Sequence, residues 1–169
     1  MTAFPGLTAG TWTVDPTHAE VGFVARHLMV AKVRGRFTEV SGTVEVGETL
    51  AETSVRAVAS AASVSTNQAD RDGHLRSADF FDVETYPELT FVSTSVSSDS
   101  MIGDLTIKGV TRSVTFDLEF DGVQADPWGN TKAGFTATTA INRSDWGLTW
   151  NAAIEGGGVL VSDKIAITL

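Results

Sequence analysis

Apolar and polar residues alternate along several stretches of the chain, which is the pattern of β-strands that bury one face. Residues 114–120 alternate strictly, and the Asp121-Gly122 pair behind them predicts a turn. Residues 133–141 alternate with smaller side chains, and residues 165–169 repeat the pattern. Lys108-Gly109 separates two such stretches and predicts a hairpin. Taken together, the pattern predicts at least eight extended segments.

The longest of these runs changes its phase. Apolar residues occupy odd positions from Val33 to Phe37 and even positions from Val40 to Val46. Such a change within one strand indicates a bulge or a sharp coil, which closed sheets require.

One segment does not alternate at all. Residues 67–81 carry Asp70 and Asp79 as candidate N-caps, and they predict one or two short helices near residues 70–81. Antiparallel strands with one helical insert, and without repeated helical crossovers, indicate an all-β fold rather than an α/β fold.

Small residues are frequent on the apolar faces of the strands, namely Ala25, Ala57, Ala59, Ala133 and Ala137. They would leave room inside a barrel, or they would let two sheets pack closely. The residues therefore predict a closed or nearly closed antiparallel barrel of about eight strands, with a hollow interior as one option. A barrel of this size can enclose one elongated ligand.

Composition narrows the function. A length of 169 residues suits a single domain over residues 1–169. The absence of Cys excludes disulfides and thiolate chemistry. A net charge of −9 disfavours nucleic acid as a partner. No apolar run approaches the about 18 residues of a membrane span, and the first residues lack a signal-peptide pattern, so we expect a cytoplasmic protein without a membrane span.

Candidate catalytic groups are few. His18, His27 and His74 show neither HxH nor HExxH spacing, so we expect no metal site. Neither a G-x-S-x-G elbow nor a phosphate-binding loop is present. We therefore predict a protein that is not an enzyme and requires no cofactor. Acid–base catalysis by His27 or His74 is the enzymatic alternative.

Arg71 and Arg76 flank His74 in the helical insert. They could anchor the helix, or they could hold a polar or anionic headgroup at the mouth of a barrel. Phe80 and Phe81 follow directly, and we expect them to pack onto the end of the barrel.

Five motifs follow one another along the chain, at residues 12–28, 33–42, 70–91, 103–111 and 142–147. The most specific stretch is DRDGHLRSADFFD at residues 70–82. In this order the motifs resemble the YceI-like, or polyisoprenoid-binding, proteins, and the resemblance covers nearly the whole chain. Many members of that family carry a secretion signal, whereas this sequence shows none.

The resemblance implies a lipocalin-like antiparallel β-barrel that encloses a long isoprenoid lipid, such as a quinone or a polyprenyl phosphate-type molecule. It also implies transport or storage rather than catalysis. A homodimer could shelter any prenyl chain that exceeds one small barrel. The remaining alternative is a stress or interaction protein with a filled core, whose side chains would meet across the barrel axis.

The apolar barrel and the resemblance together lead to a hypothesis for the ligand-binding residues. We expect the tail to be lined by Phe23, Leu28, Phe37, Phe80, Phe81, Phe91 and Trp146. The candidates for the polar end are His27, Arg71, His74 and Arg76.

Overall fold

The computed structural model describes residues 4–15, 19–27, 31–125, 127–148, 153–154, 158–159 and 164–168. Strands dominate this part of the chain. They are Gly10–Thr13 (β1), Val21–His27 (β2), Ala31–Phe37 (β3), Val40–Val46 (β4), Ser54–Ser60 (β5), Val64–Ser65 (β6), Glu88–Val96 (β7), Ser100–Ile107 (β8), Val110–Ala125 (β9), Thr131–Asn142 (β10), Ala153–Ile154 (β11), Gly158–Val159 (β12) and Lys164–Thr168 (β13). The α-helix α1 spans Ala69–Arg76, and 3₁₀ turns lie at Leu50–Glu52, Ala61–Ser63 and Arg143–Trp146.

The described strands form one large antiparallel sheet in the order β1-β4-β5-β7-β8-β9-β10-β13-β2-β3-β6, and β11 pairs with β12 apart from it. Near its two ends lie β4 and β3, which are consecutive in the chain. The sheet therefore curls back on itself through the residues that join them. We count β3 and β4 as one bent strand. This bent strand and β5, β7, β8, β9, β10, β13 and β2 together surround the interior. This confirms the prediction of an all-β, lipocalin-like antiparallel fold, whereas the described strands, eleven in the large sheet and two apart from it, exceed the predicted number of about eight.

The bend between β3 and β4 lies where the apolar phase changes. Thr38 and Glu39 are exposed between the buried Phe37 and the half-buried Val40. The Thr38 backbone N–H donates to the Ser63 carbonyl at 3.2 Å, and Glu39 accepts from the Ser60 N–H at 2.9 Å. These bonds satisfy the backbone where the strand leaves one neighbour for another. The predicted break in the strand is confirmed.

The Lys108-Gly109 hairpin is also confirmed. Ile107 pairs with Val110 across a two-residue turn. Both turn residues have positive φ, 50° for Lys108 and 74° for Gly109, which is the conformation of the tight turns that join twisted strands.

The turn predicted at Asp121-Gly122 is wrong, because β9 continues through it to Ala125. Gly134 pairs with Gly122, but Phe135 pairs with Phe120, so Asp121 is an extra residue in the ladder. Gly122 adopts a φ of 121° at this β-bulge. A glycine with positive φ serves a bulge as well as a turn, and the sequence pattern does not distinguish the two.

The helical insert ends earlier than the segment predicted for it. Helix α1 stops at Arg76, and turns follow at residues 77–81. Its N-cap is Gln68 rather than Asp70, since the Gln68 side chain accepts from the Arg71 backbone N–H. The buried Asp72 carboxylate accepts from the Thr66 N–H at 2.8 Å and from the Thr66 hydroxyl, which ties the helix to the end of β6.

Buried apolar side chains form three clusters. The central cluster is centred on Phe91, Met101, Leu105, Phe116, Ile141 and Trp146. The bend cluster consists of Phe37, Ala59 and Val64. The N-terminal cluster consists of Phe4, Leu7 and Val46, with Phe120 and Phe135 packed against it. The ring centroids of Phe4, Phe120 and Phe135 lie 5.1 Å apart in every pair, so this part of the interior is filled. Within the described residues, no helix has the length and apolar character needed to cross a membrane.

Two glycines are expected to respond in opposite directions to alanine. Gly73 lies exposed in α1, and a Cβ there would meet nothing within 4 Å. We expect Gly73→Ala to raise the free energy of unfolding by about 0.5–1 kcal/mol, because alanine loses less backbone entropy in a helix.

A Cβ at Gly103 would lie 2.4 Å from the Phe91 ring and 2.6 Å from the Val92 carbonyl oxygen. Gly103→Ala should lower the same quantity by about 1–3 kcal/mol. Urea unfolding measures both, and a destabilised Gly73→Ala variant would contradict the open position of Gly73.

Candidate ligand-binding site

An apolar cavity of about 170 Å³ lies between the central cluster and the bend cluster. Apart from Thr90 and Arg143, the described residues that line it are apolar or glycine. The apolar side chains that the strands contribute are Val21, Phe23, Ala25, Phe37, Val40, Ala57, Val58, Ala59, Leu89, Phe91, Leu105, Ile107, Phe116, Ile141, Ile165 and Ile167. Most of them occupy alternate positions of their strands, as expected for the inner face of a sheet.

Small side chains leave part of this space open. Ala25, Ala57 and Ala59 line the cavity. Ala137 is instead buried in the central cluster, and Ala133 packs against the N-terminal cluster. The small residues therefore leave the interior open around β2 and β5, while side chains fill the interior near β1.

Two glycines shape the cavity wall by admitting aromatic rings. A Cβ at Gly35 would lie 2.2 Å from the tip of the Phe23 ring, and Gly35 pairs with Phe23 across β2 and β3. A Cβ at Gly103 would lie 2.4 Å from the tip of the Phe91 ring. The tips of both rings therefore lie over a glycine of a neighbouring strand. In this position they form part of the wall and occupy less of the cavity.

The structure brings five of the predicted tail-lining residues together around the cavity, namely Phe23, Phe37, Phe80, Phe81 and Phe91. The Phe37 ring centroid lies 5.8 Å from that of Phe23 and 5.7 Å from that of Phe81. Phe81 follows α1, so these contacts pack the end of the helical insert against the barrel. Whether these rings contact a ligand stays a prediction.

The other two tail candidates differ. Leu28 lies outside the described residues. Trp146 does not line the cavity, because its indole Nε1–H donates to the Leu105 carbonyl at 2.9 Å in the buried core. It thus supports the wall from behind.

Among the described side chains, three candidates for the polar end, Arg71, His74 and Arg76, do not line the cavity. The Arg71 guanidinium donates from Nε to the Thr66 hydroxyl at 2.8 Å and from a terminal nitrogen to the Thr66 carbonyl at 3.1 Å. His74 Nε2 lies 2.9 Å from an Asp79 carboxylate oxygen, and its ring meets Phe80 edge to face. Neither side chain is part of the cavity lining. Both have roles that stabilise the helical insert.

Arg76 and His27 complete this set. Arg76 is half-buried, and within the described part of the chain no hydrogen bond or ion pair engages its side chain. It does not line the cavity, although its neighbour Leu75 does. His27 ends β2, where it pairs with Ala31, and its side chain lies outside the described part of the structure. Contact between a headgroup and any of the four candidates stays a prediction.

Arg143, which is not among the residues predicted to bind a ligand, is the one charged side chain among the described lining residues. It is only 5% exposed, and its guanidinium donates to the Leu148 carbonyl, while the Leu148 N–H donates back to the Arg143 carbonyl at 3.2 Å. The guanidinium carbon lies 6.0 Å from the Phe80 ring centroid, within cation–π range. Ala137 and Ile141 are inward positions of β10, and Arg143 has the same odd-numbered phase just beyond the end of that strand. Extending the alternation of the strand by two residues would therefore have placed Arg143 on the inner face.

These contacts give Arg143 a structural effect at the site. They close the turn at residues 143–148 and hold Leu148 in the cavity wall. Among the described residues, no three His, Asp or Glu side chains come together in a way that could bind a metal ion. The described part of the wall is therefore suited to bury apolar groups.

Comparison with known proteins places this geometry in a family. The model of the YceI-like domain matches residues 12–169. The UPF0312 protein SAS2572 of Staphylococcus aureus (strain MSSA476) is 40% identical over 157 residues, which cover 91% of either chain.

Solved structures agree with the fold. The YCEI protein of Campylobacter jejuni is 32% identical and superimposes with a TM-score of 0.70, covering 94% of each chain. A polyisoprenoid-binding domain from Saccharophagus degradans, implicated in plant cell wall breakdown, shares the fold with a TM-score of 0.68 at 15% identity and covers 95% of each chain. The family model spans nearly the whole sequence, and the motifs that suggested the resemblance all lie within it. This chain belongs to the YceI-like family.

Proposed function

We propose that this protein binds a long-chain isoprenoid lipid and shields its tail from water inside the barrel. The apolar cavity lined by Phe23, Phe37, Phe80, Phe81 and Phe91 carries this proposal. The fold shared with a polyisoprenoid-binding domain supports it. Transport of the lipid between a donor and an acceptor follows from the same chemistry, because a shielded tail can cross water.

The energetics favour binding without strong polar contacts. Burial of each methylene contributes about 0.8 kcal/mol, so a few isoprene units compensate the cost of association. An apolar wall distinguishes poorly between tails of the same length. Selection between a quinone and a polyprenyl phosphate would therefore depend on contacts with the headgroup.

The cavity volume limits how much of the tail enters the barrel in this conformation. A cavity of about 150 Å³ holds one benzene molecule. The 170 Å³ observed here therefore holds a short stretch of chain. A longer tail needs displacement of wall side chains, or shelter outside this cavity, for example between the subunits of a homodimer.

The proposal is for a binding protein rather than an enzyme, acting without a required cofactor and in the cytoplasm. The Asp79 partner of His74 lies away from the cavity lining, which gives this imidazole no contact with an enclosed tail. His74 therefore offers little support for the enzymatic alternative.

The first prediction concerns the bound lipid. Native mass spectrometry of the purified protein should show a near-stoichiometric adduct, and solvent extraction should release a prenyl lipid. If the protein is empty and added prenyl lipids do not bind, the proposal is wrong.

A second prediction uses the ring that lies over Gly35. In Gly35→Ala the new Cβ displaces the Phe23 ring from the wall, because only ring atoms of Phe23 lie within its closest contacts. We expect the displaced ring to narrow the cavity and to weaken binding of a fluorescent prenyl probe about tenfold, the equivalent of nearly two methylenes of burial. Gly73→Ala, which changes an open site, is the matched control and should bind as the wild type does. Equal affinities for the two variants would argue against binding beside Phe23.

A third prediction tests the polar end. Arg76→Gln should weaken binding of a prenyl phosphate about fivefold relative to the prenyl alcohol of equal length, since a partly exposed charged contact contributes about 1 kcal/mol. Arg56→Gln, on an exposed position of β5, is the control. Competition binding measures the ratio of the two affinities. An unchanged ratio in Arg76→Gln would remove Arg76 from the headgroup site.

A further inference from the structure

Two phenylalanine rings are the last side chains along β7 and β9 that line the cavity, since no later residue of either strand belongs to its described lining. Phe91 and Phe116 both line the cavity, and their centroids lie 5.3 Å apart with the ring planes at 88°. Phe116 is 2% exposed and Phe91 is 5% exposed. The two buried rings thus meet edge to face in the cavity wall.

Both rings are held in place from behind. The Phe91 ring lies over Gly103, and Phe116 pairs in register with the buried Met101. Because protein interiors are packed at high density, neither ring can retreat without displacing a neighbour.

Beyond Phe116 the interior is occupied by other side chains. Leu118 follows two positions later on the same face of β9, and it packs against both the central cluster and the N-terminal cluster. Neither Leu118 nor Met101 is part of the cavity lining. Packed side chains therefore fill the interior between the two rings and the N-terminal cluster around Phe4.

We infer that the Phe91–Phe116 pair is the depth stop of the cavity and determines the length of apolar chain that the barrel accepts. This inference rests on the proposed function, since it assumes that a tail enters the cavity. Phe116 is the specificity-determining residue, because its ring stands between the open space and Leu118. A smaller side chain at this position extends the cavity toward Leu118.

The test is the affinity for a series of linear alkanols that lengthen by one methylene at a time, measured by competition with a fluorescent prenyl probe. In the wild type, affinity should rise about fourfold per methylene until the chain reaches the stop, and then level off. In Phe116→Leu the levelling should shift to a longer chain by at least one methylene. The ratio of the affinity for the longest alkanols to the affinity for short ones should consequently be at least about fourfold higher in Phe116→Leu than in the wild type.

Phe37→Leu is the matched control, because Phe37 also lines the cavity but belongs to the bend cluster. The substitution removes a phenylalanine ring without deepening the space beyond Phe116. It should change the affinity for all chain lengths by a similar factor and leave the levelling point in place. If Phe116→Leu does not fold, Phe116→Met also removes the ring and supplies a flexible side chain that is smaller than phenylalanine, so the same shift is expected.

The outcomes separate the two ideas. A levelling point that stays at the same length in the Phe116 variants overturns the depth stop, while the proposed function stands. Failure of the wild type to bind the prenyl probe or any alkanol overturns the proposed function itself. A shift that occurs equally in Phe37→Leu also overturns the specific role of Phe116.

Discussion

The two-residue bend at Thr38 and Glu39 is the constraint on which the interior depends. Before the bend the chain pairs with β2 as strand β3, and after the bend it pairs with β5 as strand β4. This exchange of neighbours lets the sheet curl back on itself. Backbone bonds to Ser60 and Ser63 satisfy the polar groups of the bend. Without this bend, the inner faces of β2 and β5 would not meet across a common space, and the apolar cavity would have no far wall.

The closed sheet then divides its interior between packing and open space. Aromatic side chains from the N-terminal segment and from β9 and β10 fill the region around Phe4. Alanines at positions 25, 57 and 59 leave the opposite region open, and glycines 35 and 103 let two phenylalanine rings lie within the wall. The cavity is thus a product of small residues at specific inward positions. Its polarity follows from the same alternation, which directs polar side chains outward.

The helical insert shows how far local sequence patterns reach. Its location and the packing of Phe80 and Phe81 onto the barrel were predictable, because the segment lacks alternation and ends in two aromatic residues. The contacts of its polar residues were not predictable. Arg71 and Asp72 both bind Thr66, which lies outside the helix, and His74 pairs with Asp79 in the turns beyond it. Charged side chains near a cavity bind whichever partner folding brings closest, and composition alone does not identify that partner.

Sequence patterns alone predicted the all-β class, the position of the bend, the hairpin at Lys108-Gly109 and most of the aromatic residues with which the strands line the cavity, because period-two alternation is a local property of each strand. It also identified the family, through motifs that extend over nearly the whole chain. The folded chain was needed to show that Asp121-Gly122 is a bulge, that Trp146 supports the cavity wall from behind and that Arg143 lies in that wall. These outcomes depend on which strands become neighbours, and that pairing joins residues far apart in the chain.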